Sequence, residues 1–252
     1  MKRARDSRWV YFPGSLFFLL FLVLSSVIMS VMAPFTKPLP FRMRYAFISQ
    51  WAHMNLWVTR WACGIRMRVR RRDHGHKGAA IVLCKHQSAW ETLAMQALFP
   101  DQVSVMKQEV LKLPFFGWGL SILEPIAIDR DAGFKALKQL MNQGMERLNR
   151  GLWVMIFPEG TRTLPGERGR YNVGGAMLAV KAAEQGIPVI PMAHNAGLFW
   201  PKNSFWKYPG TVDVVIGEPK DVSGMKAAEV KAWMEEWIEG EAQKLPATTV
   251  VG

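Results

Sequence analysis

An alternation constrains this fold more than any other feature. After residue 64, short β-like runs at Ile65 to Arg70, Ala80 to Cys84, Val103 to Met106, Ile126 to Ile128, Leu152 to Phe157, Ile187 to Pro191 and Val212 to Ile216 are separated by helical patterns. The helical stretches are the segment after Ser88, Phe134 to Asn149, Val173 to Gln185 and Met225 to Gln243. Strands that alternate with helices predict an α/β fold with a largely parallel sheet, because each parallel pair needs a crossover. Gly151 after Arg150, and Gly186-Ile187-Pro188, supply stop signals for two helices. No internal repeat is present.

Charge divides the chain differently. Residues 1 to 72 carry 13 Lys or Arg against one acid, Asp6, whereas residues 73 to 252 carry 19 of each sign, so the net +12 belongs to the first segment. With the basic excess beside an apolar stretch and the rest of the chain neutral, no nucleic-acid partner is expected. The basic residues bracket an uncharged stretch, Trp9 to Thr36, whose centre from Ser15 to Ala33 is nearly all apolar. At ~1.5 Å per residue it is long enough to cross or deeply enter a bilayer. Lys2, Arg3, Arg5 and Arg8 with Val31-Met32-Ala33 imitate a signal peptide, but Pro34 at the next position argues against cleavage. Lys37, Arg42, Arg44 and Arg66 to Arg72 on the far flank give no clean orientation for a single span. A helical pair lying at or re-entering the membrane fits better. Its second member, Phe41 to Trp61, places Trp51, Trp57 and Trp61 with Arg42, Arg44 and Arg60 in the manner of a headgroup-level amphipathic helix. A core helix with a polar edge is the alternative. The expected division is 1–61 for membrane-anchoring helices, 62–246 for a single α/β domain large enough for its own core, and 247–252 for a loose tail. On this division, removing residues 1 to 61 spares the fold and ends activity on vesicles.

Cys63 and Cys84 are the two cysteines, with no CxxC and no histidine at metal spacing, so neither a disulfide framework nor a metal site is expected. A GxSxG elbow is absent as well. The chemistry rests instead on His86 and Glu91 at the end of an apolar run. An imidazole near neutrality can take a proton from an alcohol attacking a carbonyl, and a carboxylate fixes its tautomer. The same residues read as a capping box, Ser88 at N-cap and Glu91 at N3; both can hold together. After the run Leu152 to Phe157, Pro158 and Gly160 shape a turn, while Thr161 and Arg162 bring a hydroxyl and a cationic fork suited to phosphate. Glu159 is expected to hold Arg162 or the loop backbone. Asp129-Arg130 adds a cation at a third strand end, and His194 ends a strand on the same rim.

In this order the blocks resemble the glycerophospholipid acyltransferase superfamily, most closely its bacterial 1-acyl-sn-glycerol-3-phosphate acyltransferases, across roughly residues 10 to 245. His86 and Glu91 fall where the family has His, four residues, then Asp. Ile126 to Arg130 looks like its phosphate-binding block, Phe157 to Arg162 like its third block and Ile187 to Pro191 like its fourth. Lys107 matches a basic position near the phosphate. The resemblance implies a single α/β acyltransferase domain behind an N-terminal membrane-associated helical hairpin. It also implies transfer from an acyl-CoA or acyl carrier protein thioester to the sn-2 hydroxyl of lysophosphatidic acid. No further cofactor and no metal are needed. His86 and Glu91 would be catalytic; Lys107, Arg130, Glu159, Gly160, Thr161 and Arg162 would form the acceptor site. Backbone N–H groups near the His86 turn or Gly160 would meet the oxyanion; Leu111 to Leu123, with Phe115, Phe116 and Trp118, would wall the acyl chain, with plain core packing as the alternative. The implied location is the cytoplasmic side of a bacterial inner membrane, monotopic or single-span. Another lysophospholipid, a lyso-aminolipid or glycerol-3-phosphate is the alternative acceptor, and a non-catalytic adaptor for anionic lipid the alternative class. Two departures stand out: Glu91 for Asp, with one methylene more, and Glu124-Pro125 where glycine is common, expected to bear on chain or headgroup preference.

Overall fold

The apolar runs become seven strands: β1 Ile65–Arg71, β2 Ile81–Cys84, β3 Gln102–Lys107, β4 Ile126–Ile128, β5 Trp153–Ile156, β6 Val189–His194 and β7 Gly210–Ile216. The structure, a computed structural model, describes residues 8–113, 116–129 and 132–246, and of Phe116 only the backbone. Among the described residues one sheet holds the seven strands, in the order β1-β7-β6-β2-β5-β3-β4. Central β2 and β5 are buried along their whole length, as expected of unbroken apolar strands covered on both faces. Every pairing is parallel except β6 with β7. The chain from Asn195 to Pro209 returns beside β6 without a crossover helix, so β7 and its parallel partner β1 run against the other five. Arginines along exposed β1 blunt this sheet edge.

Strand side chains alternate between two cores. On one face Val82, Cys84, Trp153, Met155, Ile190 and Met192 pack with Trp90, Leu93 and Met95 of α3 (Trp90–Leu98), which follows the N-terminal helices α1 (Phe12–Met32) and α2 (Phe41–Cys63). On the other face Ile81, Leu83, Val154 and Ile156 meet α5 (Phe134–Asn149), α6 (Gly174–Ala183) and α7 (Ala227–Lys244), through Leu140, Leu178 and Met234 among others. A short helix unforeseen in the sequence, α4 (Phe116–Ser121), lies between β3 and β4.

The hairpin consists of α1 (Phe12–Met32) and α2 (Phe41–Cys63), the latter closed by Gly64 in the left-handed region, φ 68°. The outer surface of α1 is apolar, with Leu20, Leu24 and Ile28 more than half exposed, and α2 adds Trp57 and Trp61 beside exposed Arg42 and Arg60. Arg8–Thr36 is long and apolar enough to cross a membrane. The inner surface joins the first core. Phe18 is fully buried and meets Trp200 edge-on, ring centroids 5.0 Å apart, while Ser15 Oγ accepts the Lys207 N–H at 3.0 Å. Removing residues 1 to 61 would uncover this core, so the expectation that truncation spares the fold is corrected: the hairpin is structural as well as outward-facing. Where the helices cross, a Cβ on Gly14 would lie 2.1 Å from the Ala62 carbonyl oxygen. Gly14→Leu is therefore expected to cost ~1–3 kcal/mol by overpacking, read as a lower denaturation midpoint.

Glu124 occupies φ 49°, a conformation that favours glycine. Its carboxylate accepts from Arg44 of α2 at 2.5 Å and from Arg150 after α5 at 2.7 Å, fastening the hairpin to the body. It precedes β4 and so lies at the end of the sheet opposite the His86 turn. Glu124 thus has a fastening role in the fold.

Candidate active site

β2 and β5 are parallel neighbours at the centre of the sheet, so the turns after them open at the same edge. Beyond β2, His86 Nδ1 lies 2.8 Å from Glu91 Oε1 in the first turn of α3. The longer acid thus reaches the imidazole at hydrogen-bond distance. Oε1 also accepts the backbone N–H groups of Gln87 at 2.9 Å and Ser88 at 2.8 Å. Helix α3 starts at Trp90, and Ser88 Oγ accepts the Trp90 N–H while donating to the Trp200 carbonyl. One carboxylate therefore serves both as helix-entry support and as partner of His86. Burial works against charge on Glu91, but His194, the His86 hydrogen bond and the Ser88 N–H outweigh it and lower its pKa. An ionised carboxylate has no proton to give, so Nδ1 of His86 carries it and Nε2 keeps a lone pair. The ring stacks on Phe157, centroids 4.1 Å apart.

Beneath the pair lies a charged cluster that local sequence patterns do not reveal. Lys85, 1% exposed, donates from Nζ to Glu159 Oε1 at 2.8 Å, to Glu239 Oε1 at 2.6 Å and to the Glu167 carbonyl at 3.2 Å. Glu159 Oε2 accepts the His86 N–H at 2.6 Å, and Thr163 Oγ1 donates to Oε1. Tyr171 donates to Glu239, and burial with the two carboxylates pushes its phenol well up. The odd acid of the turn is thereby accounted for: Glu159 is enclosed, holds the loop backbone and bonds Lys85, not Arg162. As a substrate-facing group Glu159 is corrected; its side chain has no exposed surface. Lys85 carried one sequence signal, a cation closing a buried apolar run. Glu239 and Tyr171 carried none.

Of the remaining candidates, Gly160, Thr161 and Arg162 follow β5 and Lys107 ends the adjacent β3. Thr161 is exposed, and Gly160 takes the left-handed φ of 69° that its turn requires. Arg162 lies 3.5 Å from Asn203 Oδ1, and its carbonyl accepts from Lys202 at 2.7 Å. Lys107 ends β3, next to β5, 3.7 Å from Glu109. Arg130 lies outside the described residues. The backbone N–H groups expected to meet an oxyanion are engaged elsewhere: His86 with Glu159, Gln87 and Ser88 with Glu91, Gly160 with the Phe157 carbonyl. As for the acyl wall, Leu120 and Leu123 line an apolar recess with Met29, Ile48 and Trp51 of the hairpin, whereas Trp118 is half exposed and Phe115 lies outside the described residues.

His194, read as facing the substrate rim, is fully buried behind Glu91. Its Nδ1 accepts the Ala196 N–H at 3.2 Å, so Nε2 carries the proton and donates to the Lys85 carbonyl at 2.8 Å. Burial lowers its pKa below the ordinary 6.5 despite nearby Glu91. The unfolded chain gains a proton below that pH which the folded imidazole refuses. Stability from this group is therefore complete above pH 6.5 and falls as the pH drops toward the lower folded value. Comparing denaturation midpoints at about pH 7.5 and about pH 5.5 checks this, with a smaller loss expected in His194→Gln.

A family model described as Acyltransferase matches residues 66–195, more than half of the chain. The chain belongs to the acyltransferase family. Among relatives of this acyltransferase, a 1-acyl-sn-glycerol-3-phosphate acyltransferase of Pseudomonas aeruginosa is 45% identical over 226 residues, covering 88% of this chain and 87% of that one. The human 1-acyl-sn-glycerol-3-phosphate acyltransferase beta is 27% identical over 176 residues, covering 68% and 62%. The crystal structure of the 1-acyl-sn-glycerophosphate acyltransferase from Thermotoga maritima shares the fold, with a TM-score of 0.76 at 22% identity, over 96% of this chain and 98% of that one.

Proposed function

We propose that this acyltransferase moves a fatty acyl group from an acyl thioester to the sn-2 hydroxyl of 1-acyl-sn-glycerol-3-phosphate, giving phosphatidic acid. The observation that carries the reading is the 2.8 Å contact between His86 Nδ1 and the buried Glu91 carboxylate, which leaves the Nε2 lone pair to act as base. Nε2 takes the hydroxyl proton as the acceptor oxygen bonds to the thioester carbon. The oxyanion then re-forms the carbonyl, the C–S bond breaks, and the imidazolium returns its proton to the leaving thiolate. Glu91 stays ionised throughout and balances the imidazolium. Atoms and charge balance with no covalent enzyme intermediate. The Pseudomonas relative, similar over most of both chains, bears the name of this reaction.

Arg162, the Thr161 hydroxyl and the Gly160 turn hold the acceptor's phosphate, aided by Lys107 and by Arg130. Arg supplies a bidentate, charge-assisted grip suited to that group. The donor is acyl-CoA or acyl carrier protein, with no further cofactor. The exposed apolar face of α1 and the exposed Trp57 and Trp61 associate the protein with a membrane, where the acceptor resides. We place it on the cytoplasmic side of a bacterial inner membrane, with the hairpin monotopic or single-span.

The test is transfer of a labelled acyl group in mixed micelles to 1-acyl-sn-glycerol-3-phosphate, glycerol-3-phosphate and a second lysophospholipid in competition. Phosphatidic acid is expected to dominate. Product on another acceptor alone would overturn the headgroup assignment, and lipid retention without transfer to any acceptor would favour the adaptor.

A further inference from the structure

Glu91 uses only one of its two oxygens. Oε1 takes three donors, whereas Oε2 is buried and has no hydrogen-bond partner among the described residues. The polar group facing it is His194, whose Nε2 lies 3.9 Å away, with both side chains fully enclosed. That imidazole is fixed from two sides, accepting from the Ala196 N–H and donating to the Lys85 carbonyl, the carbonyl of the residue before His86. Its single Nε2–H is committed to that carbonyl, which holds the edge of the ring beside Glu91 Oε2. A buried carboxylate oxygen without a donor is costly, and the polar edge of a neutral imidazole held 3.9 Å away reduces that cost without adding a competing charge.

We propose that His194 is a positioning residue for this reaction, matched to Glu91. It sets the orientation of the carboxylate that holds His86, and it fits the longer acid that stands where an aspartate is usual. His194 touches neither substrate nor the reacting atoms. The geometry makes the match specific: a carboxylate one methylene shorter that kept its bond to His86 would withdraw from His194. The inference rests on the reading of His86 and Glu91 as the catalytic pair.

A double-mutant cycle on the full chain in mixed micelles tests it, using Glu91→Asp, His194→Ala and the double variant. His194→Ala is expected to lower kcat by about 10- to 100-fold with both KM values within about twofold, a 1 Å drift at the pair being sufficient for such a loss. In the Glu91→Asp background the same change is expected to cost less than about threefold. His194→Gln, which returns an N–H near the same position, is expected to recover most of the activity. Additive losses in the cycle, or wild-type kcat in folded His194→Ala, would overturn the match. If His194→Ala fails to fold, the cycle is run with His194→Gln and His194→Asn, and equal kcat in those two variants also counts against it.

A second readout needs no turnover. With ¹⁵N-labelled histidine, of which the chain has five, His86 is expected to show the Nδ1–H tautomer in wild type and a mixture in His194→Ala. An unchanged tautomer would contradict the proposal. Full activity in His86→Ala would instead remove the catalytic pair itself, a failure distinct from that of His194 alone.

Discussion

Glu91→Gln is expected to lower acyl transfer by ~10²–10⁴, the range for a lost acid–base function, with little change in melting temperature. The Gln amide oxygen can still accept the Gln87 and Ser88 N–H groups that now bond Oε1, at 2.9 and 2.8 Å, so the entry to α3 is kept. The charge is lost. With it go the preference for the Nδ1–H tautomer and the balance of the imidazolium. His86→Ala is expected to fall by a similar factor, because the two side chains act as one unit and their losses do not add. Acyl transfer and thermal melts measured on the same preparations decide the matter. Equal activity in Glu91→Gln would reduce Glu91 to a helix-entry residue and end the base-catalysed reading.

Lys85→Met is expected to be strongly destabilising. It leaves the Glu159 and Glu239 carboxylates, both anchored 2.8 Å or less from Lys85 Nζ, enclosed without their cation. Breaking a buried ion cluster by removing one partner costs ~3–5 kcal/mol. For a chain of this size that lowers the melting temperature by roughly 10 °C. Activity should fall beyond what unfolding explains, since Glu159 also holds the His86 N–H. Adding Glu159→Gln and Glu239→Gln removes the uncompensated charge and should return part of the lost stability while leaving activity low. A Lys85→Met protein that melts like wild type would show that the cluster contributes little, and the positioning argument for Glu159 would fall with it.

Residues 126 to 128 and 134 to 149 form the elements their sequence predicts, and the other runs differ at their ends by no more than three residues. These elements were legible because an apolar run or a helical stripe is a local property, set by the alternation of a few neighbouring side chains. The His86 to Glu91 spacing was legible for the same reason: a strand end, a short turn and the first turn of a helix lie within six residues. What the sequence did not display depends on the path of the chain. The reversal of β7 against β6 follows from how Asn195 to Pro209 folds back, and no periodicity records that route. Lys85 meets Glu239 across 154 positions, and His194 stands behind Glu91 only because β6 lies beside β2. Glu159 looked misplaced in an anion-binding turn until the buried ammonium below it was in view. The sequence by itself determined these runs and stripes, the outward apolar helix and the spacing that brings His86 to Glu91, but not the short α4. Tertiary structure alone decided which buried charges meet, because in a low-dielectric interior each ionised group must find its partner from whatever segment the topology brings beside it.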